Sequence, residues 1–149
     1  MKYYKVNYST VIKTSKERLW TLMAERFGEI AKFSKSVEKS EYGSDQRAGV
    51  GTSRYRRLSN DGFIKETITI WEEHKEFEFE IEETTMPVEN GSRINFKFSS
   101  QNGKTTNVNV EGIYRLKHLP FLSPVIKPMM LRTIREMISD FEQTLVAEN

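Results

Sequence analysis

Polar and apolar residues alternate from the amino terminus, with Tyr4, Val6, Tyr8, Thr10 and Ile12 on one side and Lys5, Asn7, Ser9 and Lys13 on the other. That period of two predicts a strand with one buried face. At Thr14-Ser15-Lys16-Glu17-Arg18-Leu19-Trp20 the period changes, and apolar residues recur at Leu19, Trp20, Leu22, Met23 and Phe27. A helix capped by Ser15 or Thr14 follows, with Gly28 as a stop or bend before a second short helix through Phe33. From Val37 to about Leu116 the period is two again, punctuated at 43–51, 60–62, 73–75, 87–91 and 102–103. Six strands joined by hairpins fit that rhythm. After 118–124 breaks the pattern, Met130, Ile134, Met137, Phe141 and Leu145, with Met129 and Ile138 beside them, predict a long amphipathic helix from near Pro124–Pro128 to about Val146.

Two hairpins carry register information, because residues directly opposite each other share a face. At Asn102-Gly103, a three-residue loop pairs Phe96 with Val108 and Ile94 with Val110, whereas a two-residue loop would set Phe96 against Asn109. The three-residue register is preferred and places Gly103 in a left-handed conformation. The other hairpin precedes Ile64-Lys65-Glu66-Thr67-Ile68-Thr69-Ile70-Trp71, where Glu66 shares a face with Ile64, Ile68 and Ile70. A two-residue turn at Asp61-Gly62 sets Arg57 opposite Glu66; a three-residue turn sets Arg56 there, with Leu58 opposite Ile64 and Arg54 opposite Ile68. Pairing of Leu58 with Ile64 favours Arg56. On the next strand, matching Ile70 with Phe77 and Ile68 with Phe79 puts Glu66 opposite Ile81.

The chain of 149 residues is long enough for one good core and too short for two ordinary domains, so residues 1–149 read as a single domain. It contains no cysteine, which excludes disulfides, thiolate metal sites and a cysteine nucleophile. No secretory apolar core and no bilayer-length apolar run is present, giving the expectation of a cytoplasmic protein without a transmembrane segment. Lysine and arginine number 23 against 21 acidic residues, a near balance that is only weak support for nucleic-acid binding, so no nucleic-acid partner is expected. The acid-rich run alternates Glu76, Glu78, Glu80 and Glu82 with Phe77, Phe79 and Ile81, one solvated face and one apolar face.

The opening Ile12-Lys13-Thr14-Ser15-Lys16-Glu17-Arg18-Leu19-Trp20, then Phe27-Gly28-Glu29-Ile30, Val50-Gly51-Thr52-Ser53-Arg54 and Gly62 to Ile68 carry a resemblance to the START and Bet v 1-like superfamily, especially its polyketide cyclase/dehydrase and lipid-transport branch. The order of elements along essentially the whole chain resembles it too. The resemblance implies an α+β helix-grip fold: a curved seven-stranded antiparallel sheet wrapped around a long carboxyl-terminal helix, with two short helices after the first strand. It also implies a cavity between sheet and helix for a hydrophobic or amphipathic small molecule. The walls would be Phe79, Ile81, Phe96, Phe98, Val108, Val110 and Tyr114 of the strands and Met130, Ile134 and Met137 of the helix. Packing of the same side chains into a filled core is the alternative reading of those stripes.

Glu66 is expected to be paired with arginine, since a lone buried carboxylate is costly. The pair either ties two strands or, as Arg54, Arg56 and Glu66, forms the polar end of a cavity that orients a ligand's head group. Three function classes follow: a carrier or sensor of small molecules; an enzyme, with Glu66 as a weak candidate base and Tyr8, Tyr55 or Tyr114 as proton donors; and an interaction module, with an apolar patch at Leu119, Phe121, Leu122 and Val125. His74 and His118 fall in a turn and a loop and are expected to be exposed. No nucleophile elbow, phosphate loop or zinc-binding histidine spacing occurs, so neither a cofactor nor a metal is expected. Oligomeric state has no signature in the sequence.

Overall fold

Alternation and punctuation translate directly into a meander of strands. A computed structural model of the chain describes residues 3–117 and 123–147. Strand β1 (Tyr4–Ile12) leads into α1 (Lys16–Trp20), a π turn (Thr21–Glu25) and a 3-10 helix (Phe27–Lys32). Strands β2 (Val37–Tyr42), β3 (Ser53–Leu58), β4 (Phe63–Glu72), β5 (Glu76–Thr84), β6 (Arg93–Ser99) and β7 (Thr106–Tyr114) follow, and α2 (Ser123–Ala147) closes the chain. The seven strands form one antiparallel sheet in the order β1-β7-β6-β5-β4-β3-β2. Ser15 caps α1 by accepting a bond from the Arg18 amide at 3.3 Å, as its place before an apolar run predicts.

The inner face of the sheet buries Val6, Ile12, Ile68, Phe77, Phe79, Ile81, Phe96, Phe98, Val108 and Val110. Against it lie α1 and the apolar stripe of α2, where Ile134, Met137, Ile138, Phe141 and Leu145 are buried. The first half of the helix is less covered: Met129, Met130 and Leu131 are half-buried, and Val125 is exposed. Trp20 is the hub of one end of the core, meeting Trp71, Phe77 and Phe98 edge-on at 4.9, 5.8 and 6.0 Å, while Phe77 and Phe96 stack at 4.8 Å.

The registers differ from expectation in three places, each for a local reason. The β3–β4 hairpin turns at Ser59-Asn60-Asp61, with Asp61 rather than Gly62 taking the left-handed conformation (φ 66°), which sets Arg54 opposite Glu66 and Arg56 opposite Ile64. Asn60 fixes that turn by accepting the Gly62 amide at 2.9 Å. The β6–β7 connection is longer than three residues: Phe96 pairs with Val110 and Phe98 with Val108, because Ser100 and Asn102 bind Thr105 and the loop amides. Gly103 is left-handed there, at φ 71°. Both errors are shifts by two, so every side chain keeps its face. In β4 a bulge between Ile68 and Ile70 puts Trp71, not Ile70, opposite Phe77, while Ile68 still meets Phe79 and Glu66 still meets Ile81.

Strand β7 carries Gly112 where it crosses β1. A Cβ at that position would stand 2.8 Å from Val6 Cγ1, which is buried and has no room to withdraw. Gly112→Ala is therefore expected to destabilise the fold by about 1–3 kcal/mol, as overpacking of a filled core does. The expected lowering of Tm, about 2–4 °C per kcal/mol for a chain of this size, is read by thermal denaturation.

Candidate functional site

The glutamate among isoleucines sits at the centre of a buried ionic cluster. Glu66 is fully buried, and its carboxylate accepts three hydrogen bonds: from Arg54 Nε to Oε1 at 2.8 Å, from Arg56 Nε to Oε1 at 2.7 Å and from Arg56 Nη2 to Oε2 at 2.8 Å. Strand geometry explains why two arginines reach it. Arg54 is directly opposite on β3, and Arg56, two residues on, lies on the same face one diagonal step away. Arg54 also donates to the Phe27 carbonyl at 3.1 Å and lies 3.8 Å over the Phe27 ring and 5.0 Å from that of Phe79. The 3-10 helix is thereby fastened to the sheet.

Burial alone would push the Glu66 carboxyl up, but Arg56 and Arg54 together hold it below the usual carboxylate value. Desolvation pulls Arg54 down to about 10, still charged at neutral pH. Two cations thus share one anion, and no other carboxylate among the described residues bonds to either arginine. A carboxylate that is held ionised by two cations, accepts three hydrogen bonds and is out of reach of solvent is a poor proton acceptor for a substrate. Glu66 is unsuited to the general-base role considered for it.

The expected lining residues have the following positions. Phe79, Ile81, Phe96, Phe98, Val108, Val110, Tyr114, Ile134 and Met137 all belong to one buried cluster and expose at most 8% of their surface; Met130 is half-buried beside them. Side chains facing a ligand-sized void would expose area to it, so in this structure these close on one another. Tyr114 is the exception in chemistry: it stacks on Tyr4 at 5.6 Å, yet its hydroxyl is buried and has no hydrogen-bond partner among the described residues. Burial, with a smaller effect from Tyr4, raises its pKa.

A large open cavity, about 1090 Å³, lies elsewhere, at the edge of the sheet where the 3-10 helix meets β2 and β3. Of the expected site residues Arg56 and Tyr55 reach it; Tyr42, Arg47 and Arg57 also line it. The sequence marks this place only faintly, through Gly28, where a Cβ would stand 2.5 Å from the Tyr42 ring. His74 is in the β4–β5 turn as expected, but half-buried and left-handed (φ 62°), with its ring 6.1 Å from that of Trp20. Glu25, Glu73 and His74 bring ligand atoms within 4.8 Å of one another at the surface. Leu119, Phe121, Leu122 and His118 lie outside the described residues; the fourth member of the expected patch, Val125, is exposed.

No family model and no curated protein matches the sequence. Solved structures match along nearly the whole chain. A START superfamily protein from Mycobacterium smegmatis superposes with a TM-score of 0.83 at 11% identity, covering 97% of this chain and 99% of that one. The protein has the helix-grip fold of the START and Bet v 1-like superfamily. Ara h 8.0201 (TM-score 0.80, 12% identity, 98% and 99% covered) and the major latex-like protein 151 of Panax ginseng (0.81, 15%, 95% and 97%) share it. At such identities shape is conserved without side-chain detail, so the helix-grip protein's own residues must carry any functional argument. No helix among the described residues is long and apolar enough to cross a membrane.

Replacing Glu66 by glutamine is expected to destabilise the helix-grip protein by about 3–5 kcal/mol, because it leaves two buried arginines without an anion. Because the folded-state pKa of Glu66 lies below its usual 4.5, its contribution is present above that value and is lost as pH falls through the lower, folded value. Acid titrations followed by circular dichroism should show the wild type losing stability below about pH 4.5, and Glu66→Gln a shallower dependence over the same window.

Proposed function

We propose that the protein binds a hydrophobic or amphipathic small molecule in the interior between the sheet and α2, as a carrier or sensor and not as an acid-base catalyst. The observation that carries this reading is the Tyr114 hydroxyl. It is a buried polar group with no partner among the described residues, which costs about 1–3 kcal/mol and is rarely retained without a use. A ligand with a carbonyl, carboxyl or hydroxyl oxygen would satisfy it, and an apolar body would lie along Val108, Val110 and Phe96.

Entry requires α2 to ease away from the sheet at its first half, where Met129, Met130 and Leu131 are already half-exposed and where thioethers adapt to ligands of varied shape. The second half, held by Ile138, Phe141 and Leu145, stays docked. The fold shared with Ara h 8.0201 and the START protein supports an interior between sheet and helix as the place to look. Lipid and polyketide ligands are the finer readings of the same proposal. Against catalysis stands the commitment of Glu66 to its arginines.

Native mass spectrometry of freshly purified protein, compared with the denatured and extracted sample, is expected to show an added mass that is lost on denaturation. Met137→Glu should abolish that mass and the uptake of an apolar dye, while Tyr114→Phe should keep the fold and weaken binding about tenfold, the worth of one hydrogen bond. Full uptake by a folded Met137→Glu variant would overturn the interior site.

A further inference from the structure

Beyond the interior, the geometry points to a second site: a small organic anion, phosphate or carboxylate on an apolar body, binds in the cavity at the β2 edge of the sheet against Arg56. The argument begins with charge. Arg54 and Arg56 are both buried, Glu66 neutralises one of them, and buried cations are ordinarily matched by anions. Arg54 is sealed by the Phe27 carbonyl and two aromatic rings. Arg56 is not: its side chain, 10% exposed, lines the cavity, it gives Nε and Nη2 to Glu66, and Nη1 makes no hydrogen bond among the described residues. The unmatched charge therefore has one reachable end, and it borders the open cavity, about 1090 Å³ in all, at the edge of the sheet.

The lining fits an anion. The cations Lys32, Lys39, Arg47, Arg56 and Arg57 outnumber the carboxylates Glu29, Glu41 and Asp45. Glu29 is already engaged by Arg26 at 3.2 Å and Lys32 at 2.9 Å, whereas among the described residues Lys39 and Arg57 make no ion pair and Arg47 lies over the Tyr42 ring at 4.8 Å. The cavity wraps the edge strand. Alternation along β2 and β3 puts Ser40, Tyr42 and Arg56 on the inner side and Lys39, Tyr55 and Arg57 on the outer, so an anion bound at Arg56 has its apolar body beside Tyr42 under the 3-10 helix. A guanidinium edge suits phosphate and carboxylate alike.

The test is an amide and methyl NMR titration of the intact protein with phenyl phosphate and benzoate, and with benzamide as the uncharged counterpart. Saturable binding that weakens with salt, shifts the amides of Gly28, Ala31 and Ser40 and is absent for benzamide is the expected result. The surface double variant Lys32→Gln/Arg47→Gln should weaken it at least tenfold, since Lys32 is on the 3-10 helix and Arg47 lies over the Tyr42 ring. A folded Arg56→Gln variant should lose it, and if that variant does not fold the double variant decides. Equal binding of benzamide, or unchanged affinity in the double variant, would overturn the site. Shifts at Tyr114 and the Met137 methyl in place of the edge amides would assign the anion to the interior and likewise overturn it, leaving the proposed function standing.

Discussion

The carboxylate of Glu66 accepting bonds from two buried arginines is the contact through which sheet, helix and core depend on one another. Arg54 reaches it from the residue opposite, Arg56 from the diagonal, and Arg54 then binds the carbonyl and ring of Phe27 on the 3-10 helix. Apolar residues of the same volume would often be no less stable there. What the ions add is exclusivity of register. A slip by one residue between β3 and β4 would turn both arginines outward and leave Glu66 alone in the core, a far larger penalty than the slip of an all-apolar strand.

From that fixed point the interior grades from stiff to soft. Around Trp20 the aromatic rings of Trp71, Phe77, Phe96 and Phe98 lock edge-on and stacked, and the second half of α2 is anchored to the short helical segment, by Arg18 donating to the Leu145 carbonyl at 3.2 Å and by Phe141, whose ring meets Phe33 at 6.3 Å. Half-buried methionines mark the first half of α2, and Tyr114 at the end of β7 carries a buried hydroxyl with no partner among the described residues. Opening the first half of α2 would uncover Ile126 and Ile134, whereas opening the second would uncover Met137, Ile138, Phe141 and Leu145.

Strand order, face assignment and both terminal elements were legible because period-two and period-3.6 patterns survive any local detail: Phe79, Ile81, Val108 and Ile134 are inside, and Glu78 and Glu80 face outward. Register was legible only to its parity. The β3–β4 turn was misplaced because Asp61 takes a left-handed conformation that the neighbouring glycine could have taken at lower cost, with the Asn60 side chain tipping the balance. The bulge that exchanges Ile70 for Trp71 has no sequence mark, since both residues are apolar. That an arginine faces Glu66 could be read from the strand; that two of them would bind it could not, because a diagonal contact depends on side-chain reach and not on pairing. The edge cavity was invisible for a similar reason: its walls come from elements whose approach is set by Gly28 against Tyr42.

Two buried cations with a single counter-anion would be untenable in a uniformly apolar medium, and the way the fold tolerates them explains where chemistry can occur. Arg54 is stabilised by fixed partners, a carbonyl and two ring faces, which leave it no freedom and no access. Arg56 is stabilised by Glu66 on one side and by partial contact with solvent on the other. Moving either arginine by one strand position would change this division: one place is sealed by Phe27, the other borders the edge strand, and the one side chain between them on the sequence, Tyr55, faces outward. The alternation of a single strand thus places one arginine in the core as a structural cation and the next one on its face at a doorway, and only the second can trade its solvent contact for a ligand.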